Sequence, residues 1–194
     1  LVGSEMCIRD RANVVTGDGA NVGSVLSSHP EVDLISFTGG LETGRIIAKS
    51  AAEGVKQVAL ELGGKNPNVV FADADYDAAL DNALNAAFMD SGLVCSAGTR
   101  LVIEESIAER FVDDLVARAK DIVMGGPFDE KAETGPLISK EHRDKVTDYV
   151  ERGIKAGARL RCGHDWGGEE HKDGFFYAPT VLDQCTSDNP AVQE

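Results

Sequence analysis

Over residues 12–62 the chain alternates short apolar runs with short helical patterns, and this alternation restricts its fold more than any other feature. Asn13-Val14-Val15-Thr16-Gly17 reads as a strand closed by a glycine turn. Val22, Val25 and Leu26 fall at i, i+3 and i+4 on a short helix that stops before Pro30. Residues 33–37 read as a second strand. Ile46, Ile47 and Ala51 then lie on a helix ending at Gly54. Residues 56–62 read as a third strand, with Val58, Leu60 and Leu62 on one face. Strand, helix, strand, helix, strand with short links implies a parallel sheet with right-handed crossovers, so the fold class is α/β.

The pattern continues downstream. Residues 68–72 read as a strand, and Tyr76, Leu80, Ala83, Leu84, Ala87 and Phe88 trace one face of a helix over residues 73–90. Asp75 is its expected N-cap and Gly92 its stop, which delivers the chain into Val94-Cys95. Residues 99–103 read as the next strand. Ser106-Ile107-Ala108-Glu109 has the form of a capping box, opening a helix through Val123 with Phe111, Leu115 and Ile122 inward and Gly125 past its end. Pro127 and Pro136 bracket a polar loop, and a helix over residues 139–156 follows, with Val146, Tyr149, Val150 and Ile154 on its apolar face. Residues 160–162 and 175–182 are expected strands around a wet loop. Residues 1–11 carry neither period and are read as a non-native, adaptor-like or disordered leader, excluded from the fold together with Cys7.

Composition narrows the function. Of 194 residues, 42% are hydrophobic and 27% charged, as in an ordinary globular protein. A net charge of −14 repels phosphate backbones and anionic bilayers, so neither nucleic acid nor membrane is an expected partner. Four cysteines without C-x-x-C spacing, no bilayer-length apolar run and no secretory signal point to a reduced, cytoplasmic protein. Cys162, His164, His171 and Cys185 match no common ligand spacing, so no metal is expected.

Two stretches carry possible chemistry. In Ser91-Gly92-Leu93-Val94-Cys95-Ser96-Ala97-Gly98-Thr99-Arg100, small neighbours let the backbone turn tightly and leave a thiol reachable, as a nucleophile requires. A small buried structural cysteine fits the same residues. Glu61 is the best candidate for a base. Phe37-Thr38-Gly39-Gly40-Leu41-Glu42-Thr43-Gly44 sets glycines and a helix N-terminus at the C-terminal end of a strand, where phosphates bind in open α/β sheets. Plain tight-turn glycines fit it too, because the G-x-G-x-x-G fingerprint is absent.

Taken together, Leu60-Glu61-Leu62-Gly63-Gly64-Lys65-Asn66-Pro67, Cys95 thirty-four residues after the Glu, and Phe37–Arg45 in this order resemble the aldehyde dehydrogenase superfamily. The resemblance runs over residues 12–194, and the wording around Thr38–Arg45 and Val94–Leu101 is most similar to its betaine aldehyde dehydrogenase-like branch. It implies that Cys95 is the nucleophile and Glu61 the general base. Cys95 attacks the aldehyde carbon to give a thiohemiacetal, hydride passes to NAD(P)⁺ to leave a thioester, and water activated by Glu61 releases the carboxylic acid. Gly39, Gly40 and Gly44 line the phosphate and nicotinamide side of the cofactor, and Leu62 and Gly63 border its nicotinamide. Residues 12–62 are then the C-terminal part of a Rossmann-like NAD(P)-binding domain, and residues 63–194 the N-terminal part of the catalytic α/β domain.

Two positions depart from the family pattern. Gly40 stands where Ser is frequent, which removes a hydroxyl contact to phosphate, and Leu93 stands where Gln is frequent. The oxyanion-hole Asn, the ribose-holding Lys, the Glu-Ile-Phe-Gly-Pro segment and the oligomerisation hairpin of the family all fall outside the chain. The resemblance therefore implies an internal fragment, inactive alone, of a homo-oligomeric parent acting on a small aldehyde. A CoA-acylating variant and a non-catalytic binding protein on the same fold are the alternatives.

Overall fold

A computed structural model describes residues 11–194; most of the expected leader, with Cys7, lies outside the described residues. The chain divides into two compact units, the first ending at Gly63 and the second spanning Gly64–Glu194.

In the first unit, Asp18 caps a π-helical turn, Gly19–Gly23, by accepting from the Asn21 N–H at 2.7 Å, and the turn runs into helix α1, Ser24–Ser28. Strand β1, Leu34–Gly39, leads through an extended Gly40 into helix α2, Leu41–Glu53, which stops at Gly54. Strand β2, Gln57–Leu62, returns parallel to β1, in register from Leu34 opposite Gln57 to Gly39 opposite Leu62. This is the expected parallel crossover. The strand expected at residues 13–17 does not form. A strand exists through the ladder it shares with a neighbour, and among the described residues β1 pairs only with β2, which leaves Val14 91% exposed.

In the second unit, β3, Pro67–Val70, pairs in parallel with β4, Arg100–Ile103. Helix α3, Tyr76–Phe88, is capped by the Asp75 carboxylate, which accepts from the Ala78 N–H at 3.1 Å. Helix α4, Glu105–Lys120, packs against it. Val70, Leu80, Ala83, Phe111 and Leu115 form the core there, and Tyr76 meets Phe111 edge to face at 5.4 Å. Helix α5, Lys140–Lys155, is capped by Ser139. Strands β5, Arg159–Cys162, and β6, Val181–Asp183, pair antiparallel with an irregularity between Leu160 and Cys162, and a short helix α6, Pro190–Gln193, closes the described chain.

Three expectations are corrected here. Ser106 does not cap α4, because Glu104 holds that position; its carboxylate accepts from the Ala72 N–H at 2.8 Å and from the Ser106 hydroxyl at 2.9 Å. Helix α4 also stops at Lys120 rather than Val123, whose N–H and C=O are both engaged by Glu133. Residues 175–180 are not strand: Pro179 lacks a donor, and the Phe175 carbonyl accepts from Leu137. Among the described residues no helix is long and apolar enough to cross a membrane, and no three His, Cys, Asp or Glu side chains group as metal ligands. The architecture is α/β.

Candidate active site

The first unit gathers six of the residues singled out from sequence. Gly39 ends β1 opposite Leu62 of β2, and Thr38 pairs with Glu61, so Glu61, Leu62 and Gly63 sit at the C-terminal end of the same two-stranded sheet. Glu61 is exposed, with its carboxylate available at the strand end. Gly40 adopts extended geometry (φ −74°, ψ 150°) and starts α2. The first bond of that helix runs from the Gly44 N–H to the Gly40 carbonyl at 3.0 Å, so the amides of Leu41, Glu42 and Thr43 precede the ladder.

Three forward-facing amides and the positive end of a 13-residue helix suit an anionic oxygen cluster such as a phosphate. A Cβ at Gly40 would find no atom within 4 Å, so the space before these donors is clear. Gly44 is buried, and a Cβ there would come within 2.7 Å of the Leu62 side chain. Glycine thus lets α2 close down on the end of β2. The donor set fits a dinucleotide's phosphate, with Glu42, ion-paired to Arg45, as the one opposing charge in the first turn.

Cys95 belongs to the second unit, at the tip of a turn made by an abrupt end to α3. After Phe88 the chain passes through Asp90 (φ 52°, ψ 41°) and Ser91 (φ 54°), both left-handed, and then Gly92 (φ 74°). Left-handed backbone costs about 1–2 kcal/mol at a non-glycine residue. The Ser91 hydroxyl offsets this by donating to the Gly135 carbonyl at 2.8 Å and bonding the Thr134 hydroxyl at 2.9 Å. The turn is then pinned by Ala97 N–H to Val94 C=O at 3.0 Å and by Gly98 N–H to Ala86 C=O, on α3, at 2.9 Å. Ala97 is buried, whereas Cys95 is exposed. The alternative of a small buried cysteine does not hold at Cys95; Cys162 fills that role, and burial pushes its thiol up.

Asn66 and Lys65 had no role in the sequence reading. The Asn66 amide donates to the Cys95 carbonyl at 2.8 Å and to that of Ala97 at 3.4 Å. Lys65 donates to the Ala191 carbonyl at 2.8 Å, and burial, then the nearby Arg100 guanidinium, pushes its ammonium down. All three bonds end on backbone carbonyls remote in sequence, which no local pattern marks.

A betaine aldehyde dehydrogenase of Bacillus subtilis (strain 168) is 54% identical over 184 residues, 94% of this chain and 38% of the relative. The cytosolic aldehyde dehydrogenase 1 of Rattus norvegicus is 44% identical over 183 residues, 94% of this chain and 36% of its own. The crystal structure of a betaine aldehyde dehydrogenase from Staphylococcus aureus in complex with NAD⁺ superposes with a TM-score of 0.90 at 46% identity, covering 93% of this chain and 36% of that one. The chain thus spans a little over a third of the length of these relatives. The model of the aldehyde dehydrogenase family matches residues 9–194, and with that match along nearly its whole length the chain belongs to the aldehyde dehydrogenase family.

Proposed function

We propose that the full-length protein oxidises an aldehyde to a carboxylic acid with NAD(P)⁺, and that this chain supplies its nucleophile, Cys95, and its general base, Glu61. The carrying observation is an exposed thiol on a turn that is held by hydrogen bonds and anchored by the buried Ala97, in a chain of this family. Cys95 thiolate forms the C–S bond to the aldehyde carbon and then holds the acyl group as a thioester. NAD(P)⁺, when bound, accepts the hydride. Glu61 takes a proton from the water that cleaves the thioester, returning the thiol. In this reading Gly39, Gly40 and Gly44, with the amides opening α2, hold phosphate, and Leu62 and Gly63 border the nicotinamide. The unit ending at Gly63 is part of the dinucleotide-binding domain, and the second unit part of the catalytic domain.

The 54% identity to a betaine aldehyde dehydrogenase supports a small quaternary-ammonium aldehyde as substrate. A homo-oligomeric, cytoplasmic enzyme completes the proposal; Cys95, Cys162 and Cys185 are all free thiols, which suits a reducing compartment. The test is NADH formation from a panel of aldehydes including betaine aldehyde. The full-length protein is expected to turn over and its Cys95→Ala variant to lose several orders of magnitude. Glu61→Gln is expected to release one burst of NADH and then stall at the thioester. Steady turnover by Cys95→Ala rejects the assignment.

A further inference from the structure

We infer that Asn66 is the positioning residue of the nucleophile turn, fixing the Cys95–Ser96 peptide plane through its side-chain amide. This deepens the role proposed for Cys95 and rests on it. A carboxamide has two N–H donors, and here they go to the carbonyls of Cys95, at 2.8 Å, and Ala97, at 3.4 Å. Asn66 is itself held, because its own carbonyl accepts from the Arg100 N–H at 3.2 Å, one step beyond the β3–β4 register that begins at Pro67 opposite Arg100. The ladder of the sheet is thereby extended by a side chain into the turn.

The chemical consequence concerns direction. The peptide after Cys95 is trans and planar, so anchoring its oxygen toward Asn66 sends the Ser96 N–H the opposite way. It also removes rotation of Cys95 ψ, leaving χ1 as the main freedom of the exposed thiol. The other bonds of the turn, Ala97 to Val94, Gly98 to Ala86 and Thr99 to Ala97, bind residues on either side of Cys95 but none of them touches its carbonyl.

Asn66→Asp keeps the shape, removes both donors and sets a carboxylate against two carbonyl oxygens. In the full-length enzyme its kcat is expected to fall about tenfold, the worth of one well-made hydrogen bond. KM for NAD⁺ should stay within about twofold, because Asn66 is not among the residues assigned to the cofactor. Amide exchange at residues 96–99 should rise while that of β3 and β4 is unchanged. Asn66→Ser, whose hydroxyl offers one donor, should recover part of the loss.

Should Asn66→Asp not fold, Asn66→Ser decides, with a two- to fivefold fall in kcat at constant KM expected. Unchanged kcat in the folded Asn66 variants, with Cys95→Ala inactive, overturns the positioning role and leaves the nucleophile in place. A matching loss of kcat and thermal stability with no rescue by Ser overturns it as well. Turnover by Cys95→Ala overturns both readings.

Discussion

Tyr177 has its phenol half-buried, sharing a 2.8 Å hydrogen bond with Nδ1 of His164, and burial pushes it up to about 12 against the opposing help of Thr180 and Thr147. A raised pKa means that folding favours the protonated phenol. Its contribution to stability is fully present below the ordinary tyrosine value of 10.0 and is lost as pH rises toward about 12. Phenolate absorbance against pH should show one tyrosine ionising after the others, and Tyr177→Phe should delete that late step. A titration unchanged by Tyr177→Phe would contradict it. Asp183 is the opposite case: the Arg159 guanidinium, with Arg161 beside it, holds its carboxyl down, so what that network adds is retained at neutral pH and lost only in acid.

Helices α3 and α4 carry the second unit, and their contact is where a single truncation should be felt most. Phe111 is fully buried and Leu80 is 1% exposed, facing each other in one cluster. Phe111→Ala is expected to cost about 3–5 kcal/mol, against about 1 kcal/mol for Asp75→Ala at the N-cap of α3, both read from denaturant midpoints of the full-length protein. Equal costs would mean that this cluster is not the core. These elements were legible in the sequence because their signals are local: the Asp75 cap, the stop at Gly54, and the spacing of Tyr76, Leu80 and Ala83 on one helix and of Phe111 and Leu115 on the next. What was not legible depends on partners far along the chain. The apolar run at residues 13–17 stayed coil for want of a ladder, and Ser106 yielded the cap to Glu104, whose carboxylate is drawn toward Ala72 by the turn after β3. The same division runs through the site. Cys95, Glu61 and the glycines stood out by type and neighbourhood, whereas Asn66 matters through a carbonyl 29 residues downstream.

Across the whole molecule, apolar surface is left uncovered. Val69 and Val102 are register partners on β3 and β4, and both are about half exposed; Phe128 is 98% and Val55 90% exposed. Each apolar side chain left in water forgoes about 1.5–3 kcal/mol, and patches of this kind drive association. This 194-residue chain made alone is therefore expected to self-associate, eluting ahead of a 20.6 kDa standard and binding a hydrophobic dye. A monodisperse monomer with a cooperative melt would contradict that. Finally, the bond from Lys65 to the Ala191 carbonyl joins residues 126 positions apart. At synthesis rates of about 5–20 residues per second, Ala191 is made roughly 6–25 s after Lys65. Cys95 follows Asn66 by only 29 residues. As the polypeptide is born, the thiol's turn is latched early, and the neighbouring lysine waits for the far end of the chain before its own place is settled.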